Sequence, residues 1–197
     1  MKPFPSLLAR KLLPSFCAFF IGLVVTAPVL DTWAADAAPP KPAPKAEIAA
    51  IRIRAGASAP HTDEAGVTWL ADQGFADGDA MERPGLAIGK TATPSVYWTE
   101  HFGMTKFAQK VPNGKYTVRL HFAVTYEAIS GAGQCVFSFN VEGKEFKDFD
   151  IWEKAGGDRR AHVETVEVTV ADGQLDIAFT ALFENPTISA IEIIPSA

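Results

Sequence analysis

The sequence predicts an all-β protein, a jelly-roll-like antiparallel β-sandwich, and three observations lead there. Apolar and polar residues alternate with a period of two in several runs, the side-chain period of a half-buried strand. Gly, Asn and Asp turn signals separate those runs. No long stretch combines helical periodicity with caps.

The elements follow in chain order. IRIR, residues 51–54, opens the domain. Tyr116, Val118, Leu120, Phe122 and Val124 fall on one face of a long strand, and Thr117, Arg119, His121 and Ala123 on the other. Asn113-Gly114 is the turn that leads into it. Residues 134–141, 144–152, 161–170 and 174–180 read as further strands, with turns at Glu142-Gly143 and Asp172-Gly173. ISAIEII, residues 188–194, closes the domain and is expected to pair with the opening strand, because the ends of compact domains commonly meet. Residues 56–94 hold many Gly and Pro and few strand-like runs. A long irregular segment in a compact domain is usually functional, so a binding surface is expected there first.

The N-terminal stretch has a different grammar. Lys2, Arg10 and Lys11 precede an almost wholly apolar run over residues 12–30, and Thr32-Trp33-Ala34 offers a small-x-small cleavage site. Residues 1–34 therefore read as a signal peptide, with an uncleaved membrane anchor as the alternative. Residues 35–48, rich in Pro, Ala and Lys, read as a linker, and residues 49–197 as one domain. The expected location is secreted or periplasmic, with no membrane contact after cleavage. Cys17 leaves with the leader, and Phe16 before it is too large for a lipidation motif. Cys135 is then the one thiol of the mature chain and is expected to be a small buried hydrophobe.

Charge and motifs exclude several functions. Removing residues 1–34 takes away three basic residues and Asp31, moving the formal charge from −5 to −7. An acidic chain has no electrostatic reason to bind nucleic acid. GxSxG and HExxH are absent, and His61, His101, His121 and His162 are scattered, so no catalytic nucleophile, metal or cofactor is expected. Asp148-x-Asp150 could place two carboxylates on one strand face, as a glycoside hydrolase would require, and Asp77-x-Asp79 could offer oxygens to Ca²⁺. A solvated strand face and a polar turn are the simpler readings of those pairs.

A sugar site needs flat rings to stack on pyranose faces and fixed polar groups to bind hydroxyls. Trp69 lies in the Gly-rich segment, Tyr97 and Trp98 are adjacent, Tyr126 follows the long strand beside Glu127, and Trp152 ends another strand. These residues also carry a resemblance. IRIRAGA at 51–57, Asp63-x-x-Gly66-x-x-Trp69-x-x-Asp72 and VYWTEHF at 96–102 come first. VPNGKYTV at 111–118, LHFA at 120–123, Asp148-x-Asp150-Ile151 and Asn185-Pro186-x-Ile188-x-Ala190-Ile191-Glu192-Ile193 follow in order.

In order and spacing these segments resemble malectin domains, a family of carbohydrate-binding β-sandwiches, over residues 51–194. The resemblance implies a non-catalytic, lectin-like role in an exported, bacterial-type member, best known for binding glucose disaccharides through aromatics and one acidic residue. Residue by residue, it carries a stacking role to Trp69 and Tyr126 and the acidic ligand to Glu184, with Tyr97 a further candidate contact. Glu127 stands where the family has a second aromatic beside Tyr126; it is expected to accept a sugar hydroxyl but cannot stack, and no Tyr lies between Trp69 and Tyr97, so the family's sugar specificity does not transfer. The expected partner is an oligosaccharide or polysaccharide. A cell-envelope protein partner on the same sandwich is the alternative, and a glycoside hydrolase a weaker one.

Overall fold

A computed structural model describes residues 48–196. The expected leader at 1–34 and all but the last residue of the expected linker lie outside the described residues. Strand β1 (Ile51–Arg54) is followed by the short strands β2 (His61–Thr62), β3 (Thr68–Trp69) and β4 (Asp79–Glu82). A 3₁₀ turn at Pro94–Tyr97 leads into β5 (Thr99–Phe102), β6 (Lys106–Lys110) and the long β7 (Gly114–Phe122). Next come β8 (Val136–Val141), β9 (Lys144–Asp150) and the one-turn helix α1 (Ile151–Ala155). Strands β10 (His162–Val170), β11 (Gln174–Ala181), β12 (Thr187–Ile188) and β13 (Ala190–Pro195) complete the domain.

Two four-stranded antiparallel sheets, ordered β1-β13-β7-β10 and β6-β11-β8-β9, pack face to face. The predicted β-sandwich is therefore what the chain adopts. Its opening and closing strands pair as the ends were expected to, with Ile53 opposite Ile191. Tyr116, Val118, Leu120 and Phe122 of β7 all point inward and are almost fully buried. Phe122 meets the second sheet at Phe149 and Phe139, with ring centroids 4.9 and 5.9 Å apart. Each buried Phe stabilises the fold by about 1.5–3 kcal/mol relative to an exposed one.

The other face of β7 is not simply solvated. His121 and Ala123 are buried, because the Gly- and Pro-rich segment folds across the outside of the first sheet. Trp69, Val96 and Tyr97 pack there against Ala123 and Ala190 as a second, smaller core. Gly56 permits this crossing. It has φ +72°, and a Cβ there would collide with the carbonyl of Glu100. The segment expected to be irregular is thus largely a cover, and Met81, Arg83 and Leu86 within it line the clefts described below.

The residues 144–152 expected as one strand divide at Asp150. A bulge interrupts β8–β9 pairing between Phe137 and Phe139, and Asp148 there has φ +49°. Asp150 caps α1, accepting from the backbone N–H groups of Trp152 and Glu153, and Gly156 closes the helix in the left-handed region. The bulge breaks the period of two, so Asp148 is exposed while Asp150 is buried and engaged with backbone. The two aspartates do not form a carboxylate pair across a cleft. Asp77 is likewise committed, its two oxygens accepting from the Thr105 backbone N–H and hydroxyl at 2.6 and 2.7 Å.

Candidate functional site

A third small sheet, β12-β5-β4, lies at one end of the sandwich and carries the floor of a cleft of about 330 Å³. Met81, Phe102, Val124 and Ile129 give the cleft apolar walls. Its polar groups converge at the base. Arg83 Nη1 donates to Glu100 Oε1 at 2.6 Å and to the Thr125 hydroxyl at 3.0 Å. Glu100 Oε2 in turn accepts from Thr125 Oγ1 at 2.7 Å and Thr187 Oγ1 at 3.3 Å. Both oxygens of this buried carboxylate are thereby occupied. The remaining Arg83 donors, Nε and Nη2, make no hydrogen bond among the described residues, and the side chain stays one-quarter exposed. An apolar wall with a few oriented donors at its base suits a ligand with one flat apolar face and several hydroxyls.

The rim brings together two of the expected residues. Tyr126 follows β7, is 54% exposed and lines the cleft. Val124 and Thr125 beneath it are buried, and the turn behind it closes through the Ile129 N–H to the Tyr126 carbonyl at 3.1 Å. Asp150 steadies the same loop, accepting from the Gly133 N–H at 2.6 Å. Glu184, on the β11–β12 connection, lines the same cleft. Its Oε1 accepts from the Asn185 N–H at 2.9 Å, and its Oε2 has no hydrogen bond among the described residues. Phe183 beside it is 82% exposed, an aromatic that the sequence reading passed over. Its position directly before the acidic residue in a turn was the available signal.

Glu127 is exposed but lines a second cleft, of about 260 Å³, with Tyr126, Leu86, Asp158 and Arg159. Arg83, Val124, Thr125, Tyr126 and Ile129 line both clefts. Arg159 Nε donates to Asp158 at 3.0 Å, so this cleft has a paired cation and two nearby carboxylates.

Trp69 and Tyr97 are corrections to the expected site. Trp69 is 3% exposed, and its Nε1–H donates to Asp63 Oδ2 at 2.9 Å. Asp63 Oδ1 meanwhile accepts from the backbone of Ala65 and Val67, so the Asp63-x-x-Gly66-x-x-Trp69 motif is a loop clasp. Tyr97 is 2% exposed, and its hydroxyl lies 3.0 Å from His121 Nδ1. Neither ring has a free face, because both form the cover on the first sheet. Burial raises the Tyr97 phenol well above its usual range, and Glu192 adds to that.

Two further buried groups explain themselves. His121 Nε2 lies 3.0 Å from Glu192 Oε1, and Arg52 Nε donates to Glu192 Oε2 at 2.9 Å. Burial alone would raise the Glu192 carboxyl, but bonding and charge from His121 and Arg52 outweigh it and hold the group at about 2. Cys135 contributes to the first cleft as the buried small hydrophobe expected. Burial pushes its thiol up to about 12, with help from Asp150, Glu184 and Glu100, which makes it a poor nucleophile.

Comparison with known proteins places this geometry in context. The malectin domain family model matches residues 49–191. A probable receptor-like protein kinase of Arabidopsis thaliana is 36% identical over 110 residues, 46% of this chain and 14% of the kinase. Among solved structures, a Bacteroides uniformis beta-glucuronidase superposes with TM-score 0.68 at 18% identity, over 76% of this chain and 18% of the enzyme. The ANXUR2 extracellular domain from Arabidopsis thaliana superposes with TM-score 0.65 at 17% identity, over 74% of this chain and 48% of that one. The chain spans 14% of the kinase, 18% of the glucuronidase and 48% of the ANXUR2 domain, and the structural likeness is one of fold.

Proposed function

Since the chain belongs to the malectin domain family, we propose that it binds an oligosaccharide or polysaccharide, glucose-type sugars included, without cleaving it. One observation carries the reading. The exposed Tyr126 ring and the Glu184 carboxylate line a single cleft whose base holds the unspent donors of Arg83. Tyr126 stacks on a pyranose face, Glu184 Oε2 accepts a hydroxyl, and Arg83 donates to a ring or hydroxyl oxygen. Glu127 accepts from a sugar unit beyond Tyr126. The non-catalytic character is supported by Glu100, which is tied to Arg83 and two threonines and so orients the floor instead of exchanging protons. Residues 1–34 export the domain, and it meets its glycan outside the cytoplasm.

Titration of the purified chain against a glycan panel tests this. Glu184→Gln and Tyr126→Ala each weaken binding of the best ligand, the first by about 1–3 kcal/mol for a lost hydrogen-bond partner. A chain that binds no glycan, yet retains a specific protein from cell-envelope extracts, rules the sugar reading out in favour of a protein-interaction module. Hydrolysis of a chromogenic glycoside, abolished by a single carboxylate-to-amide change, would make it an enzyme.

A further inference from the structure

The two clefts are not independent. Tyr126, 54% exposed, lines both, and so do Arg83, Val124, Thr125 and Ile129. Taken singly, their volumes of about 330 and 260 Å³ lie near the lower edge, about 300 Å³, of small-molecule sites. Joined across the ring they form one groove within that range.

The two halves also differ in chemistry. Met81 and Phe102 line only the first, together with the buried, fully paired Glu100 carboxylate. The second presents Glu127 and the Asp158–Arg159 pair to solvent. Arg159 is held there by backbone on both sides. Its N–H donates to the Val124 carbonyl at 2.8 Å, and its carbonyl accepts from the Gly89 N–H at 2.8 Å. Its φ of +48° is a left-handed conformation that a non-glycine residue adopts at a cost, and it is kept by those two bonds. The second cleft is therefore built against the first through Val124, which lines both.

We propose that the first cleft, the Tyr126 ring and the second cleft are three consecutive subsites of one groove, so that the ligand is a glycan chain crossing the Tyr126 ring. This inference rests on the sugar-binding reading above and deepens it. One unit sits against the apolar walls beside Glu184, one stacks on Tyr126, and one is held through its hydroxyls by Glu127, Asp158 and Arg159. The smallest ligand that fills the groove is a trisaccharide, and a disaccharide leaves one subsite empty. The polar half selects a unit rich in free hydroxyls, while the apolar half accepts the less polar face of its neighbour.

The test is calorimetric titration of the full chain with α- and β-linked gluco-oligosaccharides of two to six units. The expected result is a dissociation constant that falls at least tenfold between two and four units and then levels off. In Arg159→Asn, which tolerates the left-handed backbone, and in Glu127→Gln, the ratio of the disaccharide to the tetrasaccharide constant collapses toward one. A constant that does not change with length overturns the second subsite and leaves the sugar-binding reading standing. A length dependence equal in the wild type and both variants also overturns it, since the extra contact then lies elsewhere. Failure of every oligosaccharide to bind overturns both readings.

Discussion

Arg83 Nη1 sits 2.6 Å from Glu100 Oε1, and this ion pair joins the irregular cover to the β-sheet floor of the cleft. Glu100 is 7% exposed and Arg83 25%. A carboxylate so deeply placed needs its partner, because removing one member of a buried pair leaves an uncompensated charge.

Glu100→Gln and Arg83→Met are each expected to lower stability by about 3–5 kcal/mol, the cost of breaking a buried pair from one side. The double variant is expected to lose clearly less than the sum, because neither charge is then stranded. Urea unfolding of the four proteins measures this. Additive losses would mean that the two residues are not coupled.

Two aromatics from the same expected site are predicted to behave in opposite ways. Trp69→Ala removes a buried ring and is expected to cost about 3–5 kcal/mol of stability. Tyr126→Ala is expected to leave the melting temperature close to wild type, since the ring is 54% exposed. Its effect is on binding, a stacking loss of about 0.5–1.5 kcal/mol beyond the area term. Differential scanning calorimetry and glycan titration on both variants separate the roles.

Stability is expected to fall on acidification through a defined window. Glu192 has its carboxyl depressed to about 2 from an ordinary 4.5, so it contributes fully above pH 4.5. That contribution declines as pH drops from 4.5 and is gone below about 2. Glu192→Gln removes the titrating charge and is expected to flatten the acid limb of the melting curve over that window. An unchanged acid limb would show that Glu192 does not drive it.

The elements that were legible are those in which one strand explains itself. Tyr116, Val118, Leu120 and Phe122 announce a buried face by alternation, and they are buried. Helix α1 was missed because five residues are too few for a helical period to appear, although Asp150 and Gly156 mark its two ends. Trp69 and Tyr97 were misjudged for a different reason. The segment holding them looked like a loop, and whether a loop aromatic faces water or a sheet depends on what the chain crosses. The family resemblance points to Tyr126 and Glu184 as candidates, and both line one cleft. Arg83, Glu100 and Thr125 carry no local signal, because their hydrogen bonds join residues far apart in the chain.

Sequence by itself determined the sandwich, its paired ends and the burial of Cys135, since alternation and turn chemistry are written residue by residue along a single strand. Tertiary structure alone decided which aromatics are free. It also decided that Tyr126 and Glu184, 58 positions apart, share a cleft with Arg83. Exposure and proximity are properties of how segments cross in space, and no local pattern of side chains encodes them.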